Sequence, residues 1–461
     1  MNPRRPRGSH RSYDPLSHLV FLRSQGEYVW DEQGRKYLDL ICGYSACNLG
    51  HAHPRLTAAV CEQISEQTWA HGGQSQLRSR LEETLGSLWD QNTPPGRKPH
   101  RYSKVWLTVS GARAIEIAWK LAYAKRPGST IGFDLAYHGR SLASALLSDT
   151  ERSEAFGPHG SLENHATIPF PRHLHGLCAP ILMPDSRHDA SHDASNDASN
   201  DACHDASSNS LEAYSDKSPL CAECQRALEQ ASQTFEKLKS RASILFVEPA
   251  IGARGYYFAP AAFMQRLVAL ARSYGLAIVS DEIQMGLRRT GPMFLCRGQA
   301  WEPDLLVLGK SLGGGILPIA AVVGPDDWID GIGPGIESET FAAYPMACRL
   351  ALETLEILQT PNLRSDIERK GDFFRSLLST HLPEPLVTLG SGLACCVSFE
   401  NLPNSGSELA FQVVKKLADQ GVLIHLTGPK RNRIAAIPSL LIQESSLEMA
   451  ARSILRAIEE P

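Results

Sequence analysis

The chain lacks the features that would place it in a membrane, on nucleic acid or in a disulfide-stapled secreted fold. No apolar run approaches the ~20 residues a membrane span requires. With 46 Lys and Arg against 50 Asp and Glu, the net charge is −4, so there is no basic surplus to grip a phosphate backbone. The 11 cysteines follow no framework spacing and no signal peptide is recognisable, which predicts a reducing, cytosolic setting. Met1 to Tyr13 holds four Arg and no acid, short for a transit segment, and residues 1–25 are expected to form a disordered arm.

Apolar content is also missing from one internal stretch. His188 to Ser207 is five near-copies of a tetrapeptide, His/Asn-Asp-Ala-Ser/Cys. With so little to bury it cannot offset the entropy of ordering, so 185–219 is predicted to be a disordered surface loop. His188, His192 and His204 stand among aspartates there, but low-complexity slippage explains the pattern better than metal binding, and no metal is expected. Just beyond, Cys221-Ala222-Glu223-Cys224 has the spacing of a metal or redox pair without a second pair at the right distance. It reads better as the start of a helix from Cys221 to Lys239.

What is present is a core. At 461 residues the chain suits two or three domains, on a soft prior of about 150 residues each. Arg55 to Ala70 reads as an amphipathic helix. From about Lys104 to Val323 strands alternate with helices: Thr130 to Phe133, Ile244 to Glu248, Leu276 to Asp281, Leu305 to Leu308 and Ile319 to Val323, with crossovers such as Pro260 to Tyr274. That alternation predicts an α/β fold, a mostly parallel sheet with helices on both faces.

Three stretches suggest chemistry. Lys310 follows the apolar run Leu305 to Leu308 and Gly309, and precedes Ser311, Leu312 and the glycines Gly313 to Gly315. An amine at the exit of a buried strand must find a partner or carry a heavy desolvation cost, and covalent use as an imine with a carbonyl cofactor removes it. Upstream, Leu276-Ala277-Ile278-Val279-Ser280 ends in Asp281-Glu282, which brings a carboxylate to the sheet edge where open α/β folds bind ligands. A β-rich run from Lys104 breaks at Ser110-Gly111 into a helical pattern reaching about Arg126. This leaves N–H groups and a positive dipole end at Ser110, Gly111 and Ala112. An amine, a carboxylate and an anion cradle are what pyridoxal 5′-phosphate asks of a protein.

Other short stretches follow in order: Val29-Trp30-Asp31 with Tyr37-Leu38-Asp39, then Leu49-Gly50-His51-Ala52-His53-Pro54, then Tyr137-His138-Gly139-Arg140 and Glu248-Pro249. Asp281-Glu282-Ile283-Gln284 is followed by Arg289-Thr290-Gly291, Gly309-Lys310 by Leu317-Pro318, and Thr340-Phe341 by Pro345. As an ordered set, from Gly26 to the C-terminus, they resemble the class III aminotransferases, the fold-type I pyridoxal-phosphate group that includes ornithine, acetylornithine and 4-aminobutyrate aminotransferases. The resemblance implies a large cofactor-binding domain, 71–359, and a smaller α+β domain from 26–70 and 360–461. It also implies a homodimer with active sites at the subunit interface.

Residue roles come from the same resemblance. Lys310 would hold the cofactor and shuttle a proton, while Asp281 would hold the pyridinium nitrogen. Tyr137 would stack on the ring, Ile283 pack behind it and Gln284 reach its hydroxyl, with His138 and Glu248 also in the cofactor site. Ser110, Gly111 and Ala112 would cradle the phosphate, joined by Thr340 of the neighbouring subunit. Taken singly, Tyr137 and Ile283 read as core, Thr340 as a cap on a Phe341 to Gln359 helix, and His51 with His53 as a structural turn. Tyr44 and Arg140 resemble the pair that clamps a substrate carboxylate far from a reacting ω-amine.

The implied activity is ping-pong transfer of an amino group from an ω-amino acid or amine to a 2-oxo acid or aldehyde. Three departures qualify the match. The family's gate glutamate is Ala253, its partner arginine is Ala435, and Arg113 stands where the family commonly has Glu. Loss of both halves of a buried ion pair strands no charge, so another group is expected to serve the acceptor, with Arg431 and Arg433 as candidates. An isomerase, such as an aminomutase or epimerase, or a lyase or decarboxylase would not need the gate and is the alternative on this fold. A cofactor-binding scaffold is disfavoured because Lys310, Asp281 and the phosphate turn survive together.

Overall fold

The computed structural model describes residues 15–68, 75–91, 104–148, 165–173, 180–182, 220–333 and 336–459. The predicted loop 185–219 and the arginine-rich Met1 to Tyr13 lie outside these residues. Its main layer is a seven-stranded sheet, ordered β4-β10-β9-β8-β7-β5-β6. These strands are β4 (Lys104–Thr108), β5 (Ser129–Phe133), β6 (His165–Ile168), β7 (Ala242–Val247), β8 (Ala277–Asp281), β9 (Leu305–Leu308) and β10 (Ala320–Gly324). Neighbours are parallel except at β10, which runs against both β9 and β4. The reason is connection length: residues 309–319 are too few for a crossover helix, so the chain turns back.

The fully apolar strands are buried on both faces, as parallel sheets require. Ile244, Phe246, Val279 and Val307 face α3 (Gly111–Lys125), which supplies Ala114, Ile117 and Leu121. The alternate residues Leu245, Val247, Ile278 and Leu306 join a larger cluster with α5 (Ala261–Ser273) and α6 (Pro345–Leu358). The first amphipathic stretch forms α1 (Pro54–Glu66), followed by α2 (Gln76–Gln91). The helix predicted at Cys221 forms α4 (Ala222–Leu238), with Cys221 as N-cap.

Two predicted boundaries move. Of the arm expected over 1–25, Phe21–Gln25 is instead strand β1, paired antiparallel with β2 (Tyr28–Asp31), which pairs with β3 (Lys36–Asp39). All five β1 residues are exposed, so backbone pairing rather than burial holds this strand, and hydropathy gave no sign of it. The helix predicted from Phe341 begins only at Pro345, with Tyr344 as N-cap. A residue before proline is pushed out of the helical region while proline itself suits the first turn.

The chain ends meet. β3 pairs in parallel with β13 (Val422–Leu423), Ile437 N donates to Leu40 O at 2.7 Å, and Leu440 N donates to Asn48 O at 2.7 Å. A second antiparallel sheet runs β11-β12-β15-β14, comprising β11 (Val387–Ser391), β12 (Ala394–Ser398), β14 (His425–Thr427) and β15 (Arg433–Ala436). Arg289 joins these parts. It is wholly buried and donates to Ser45 Oγ (3.0 Å), Leu393 O (2.9 Å), Pro438 O (2.7 Å) and Asn48 Oδ1. Burial pushes its guanidinium down to about 10. Arg289→Met should destabilise the fold by about 3 kcal/mol or more, because three segments lose their donor inside the core. Denaturant unfolding measures this, and a midpoint matching wild type would refute it. Among the described residues, no helix is long and apolar enough to cross a membrane.

Candidate active site

Five strands of the main sheet end at one edge, and each delivers a candidate residue there. Ser110 follows β4, Tyr137 and His138 follow β5, Glu248 follows β7, Asp281 ends β8, and Lys310 follows β9. Asp281 lies in register with Val307, and Glu282 N donates to Val307 O at 2.9 Å, so Lys310 emerges beside Asp281 from the adjacent strand. The two carboxylates of the Asp281-Glu282 pair part here. Glu282 turns inward and accepts from Leu295 N (2.6 Å) and Cys296 N (2.8 Å).

The electrostatics of this edge are set by burial. Lys310 opens a short 3₁₀ turn in the left-handed region at φ 44°. Desolvation lowers its amine to about 8 against the pull of Asp281 and Glu248, so a useful fraction is neutral near physiological pH. Asp281 Oδ2 accepts from His138 Nδ1 at 2.8 Å, and Oδ1 accepts from Ile283 N at 3.0 Å. Burial alone would lower His138, but the hydrogen bond and charge of Asp281 raise it overall. His138 Nε2 is buried without a hydrogen-bond partner among the described residues. Burial also raises Glu248, which accepts from Tyr137 N (2.6 Å) and Gly252 N (3.2 Å) and so fixes the Tyr137 loop.

The phosphate turn is shaped by missing side chains. Ser110 caps α3, its Oγ accepting from Arg113 N at 3.3 Å. A Cβ on Gly111 would sit 2.9 Å from Ile283 Cδ1, and one on Gly309 would lie 3.3 Å from Ile283 Cγ2. Ile283 is thus wedged between the two glycines. Ala112 packs on Gly139, where a Cβ would come within 2.7 Å of the alanine methyl, which draws the Tyr137-His138-Gly139 loop against the turn.

Other predicted residues are less tightly joined. Gln284 is directed to Tyr256, donating through Nε2 to its hydroxyl at 2.9 Å, with a longer approach to Tyr44 O at 3.4 Å. Tyr44 adopts φ 58° and meets His425 edge to face at 4.9 Å. Arg140 is exposed, with no ion pair among the described residues, and no contact unites it with Tyr44. Thr340 is exposed in the turn before α6. Sequence motifs missed Tyr256 and His425. His425 sits opposite Ala435 in the β14–β15 pairing, so the two share a sheet face; only strand register brings it there.

The sequence matches the Aminotransferase class-III family model over residues 9–458. The chain belongs to the class III aminotransferases. It is 28% identical to ornithine aminotransferase of Emericella nidulans over 97% of this chain and 87% of the relative. It is 27% identical to the 4-aminobutyrate aminotransferase GabT of Escherichia coli, over 96% and 94%. The structure of ornithine aminotransferase from Toxoplasma gondii, described with partial occupancy of PLP at its active site, superposes with a TM-score of 0.74 at 26% identity, covering 95% of this chain and 90% of that one.

The aminotransferase uses pyridoxal 5′-phosphate, and the site fits it. A buried amine, a carboxylate on the next strand and a turn whose Gly111 leaves no room for a Cβ stand together at one edge. The departures also find a physical account. Arg113 pairs with Glu116, Glu337 and Glu339, and Glu339 accepts from Thr108 Oγ1 (2.5 Å) and Val109 N (3.2 Å). The replaced residue therefore ties the segment before Thr340 to the phosphate turn. Arg433 is engaged within the core. It is buried, donates to Gly255 O at 3.0 Å, pairs with Glu400 at 3.2 Å and lies 3.7 Å over the Tyr257 ring.

Proposed function

We propose that this aminotransferase takes its amino group from an ω-amino acid, passes it to a 2-oxo acid or aldehyde, and works as a cytoplasmic homodimer. The observation that carries the reading is the buried Lys310 amine, lowered to about 8 by desolvation and set beside Asp281 at adjacent strand ends. The ω-amino acid class is supported by relatives named for ornithine and 4-aminobutyrate. The large part of the chain, 71–359, holds the cofactor, and the small part, 26–70 with 360–461, walls the substrate side.

When bound, pyridoxal 5′-phosphate supplies an aldehyde for amines and a ring that accepts electron density. Lys310 would anchor it and, once displaced by the incoming amine, would move a proton at the substrate carbon, which its lowered basicity permits. Asp281 would face the ring nitrogen with its charge, and His138 aims that carboxylate through its hydrogen bond. Ser110, Gly111 and Ala112 would receive the phosphate, joined in a homodimer by Thr340 of the partner subunit. Tyr137 and Ile283 would hold the ring between them, while Glu248 fixes the Tyr137 backbone. Gln284, which donates to the Tyr256 hydroxyl, would reach the ring hydroxyl. Tyr44 and Arg140 receive the distal carboxylate of the donor.

Adding ornithine, 4-aminobutyrate or a simple ω-amine to the purified enzyme without acceptor tests the reaction. One donor should bleach the visible absorption of the lysine-bound cofactor stoichiometrically, and a 2-oxo acid should restore it. Donor consumed catalytically without acceptor would replace the transaminase by an isomerase or lyase. With Ala253 and Ala435 in place of the gate, His425 is the polar group opposite Ala435 and is assigned to the acceptor carboxylate. His425→Ala should raise KM for the oxo acid about tenfold, the worth of one charged hydrogen bond, and leave the donor half-reaction intact. Equal loss in both halves would defeat this assignment.

A further inference from the structure

We propose that His173, Cys221 and Cys224 bind a structural Zn²⁺ that joins the chain leaving β6 to the start of α4. The Cys-x-x-Cys spacing places Cys221 at the N-cap and Cys224 one turn into the helix, so both sulfurs leave the same end. The chain after β6 brings His173 to them. Its Nε2 lies 3.3 Å from Cys224 Sγ and its Nδ1 lies 3.9 Å from Cys221 Sγ, and one donor atom from each residue can be chosen so that all lie within 4.8 Å. Bonds of about 2.3 Å to sulfur and 2.0–2.1 Å to nitrogen put tetrahedral ligands roughly 3.3–3.8 Å apart, so the donors would draw together by up to about 1 Å to close the site.

The surroundings favour an ion. His173 is 4% exposed and Cys224 is fully buried, with the apolar Phe170 and Leu220 beside them in the chain. The positive end of α4 stabilises thiolates. Arg172 N already donates to Glu223, so the two segments are docked before any metal arrives. Among the described residues three protein donors stand here, so a tetrahedral ion would need one further ligand. His173 and Cys221 are 48 residues apart, and a cross-link over so long a span removes much loop-closure entropy from the unfolded chain. The role is independent of the amino transfer.

The holoenzyme, produced with zinc in the medium and dialysed, should carry about one Zn²⁺ per chain by elemental analysis. Cys221→Ser keeps a good N-cap, and Cys224→Ser is nearly isosteric. Each should lose the ion and lower Tm by about 2–4 °C while keeping the cofactor spectrum and the donor half-reaction. Cobalt added to the metal-stripped holoenzyme should give thiolate-to-metal absorption in wild type alone. Wild type without zinc above the buffer blank, equal zinc in the Cys221→Ser/Cys224→Ser double variant, or a Cys221–Cys224 disulfide in the purified enzyme would overturn the site.

Discussion

Lys310→Ala is expected to lower turnover by about 10⁴-fold or more, because one side chain both anchors the cofactor and carries the proton. The fold should survive. Removing a buried amine relieves desolvation, and Asp281 keeps its hydrogen bonds from His138 and Ile283 N. The variant should still take up cofactor without the lysine-bound absorption, and amine donors should bleach nothing catalytically. In the wild-type protein stripped of cofactor, the neutral amine is the attacking form. With Lys310 at about 8, the attachment rate should rise about tenfold per pH unit below that value and flatten above it. Retained full activity in Lys310→Ala would sink the assignment.

Asp281→Asn is the second large effect. The amide matches the carboxylate in size but carries no charge, so the ring nitrogen loses the partner that keeps it protonated. A fall of about 10²–10³-fold in turnover is expected, comparable to removing one preorganised electrostatic partner. The substitution also removes the main influence that raises His138, leaving burial to lower it. A chemical-shift titration of that imidazole should therefore move downward in pH, a change that simple loss of packing would not produce. Unchanged turnover together with an unchanged His138 titration would refute the role.

Much of the site was legible because its residues sit where local pattern changes. Lys310, Asp281 and Ser110 each stand at the end of an apolar run, and a run that stops at a polar residue reads as a strand reaching a sheet edge. The five predicted strands from Thr130 to Val323 appear at nearly the predicted bounds. Tyr256 and His425 were not legible. Neither belongs to a motif: Tyr256 meets Gln284 from a loop 28 residues upstream, and His425 meets Tyr44 from a strand almost the length of the chain away. Arg113 looked like an unexplained exchange because its partners Glu337 and Glu339 lie more than 220 residues away. The Cys221–Cys224 pair was read as a helix start, which it is, and nothing in its spacing announced His173.

By itself the sequence determined the class of fold and the chemistry. Apolar runs of strand length alternating with amphipathic helices admit little besides a parallel sheet covered on both faces, and the strand ends carry an amine, a carboxylate and an anion turn in family order. Tertiary structure decided what depends on neighbours. It reversed β10 because its connection is short, and it sent Asp281 to the site but Glu282 into the core. It also buried Arg433 against Glu400 and Tyr257, and set His425 across from Ala435. Period and propensity act over a few residues, whereas these outcomes rest on partners from about ten to more than a hundred residues away, which the chain specifies only once it has closed on itself.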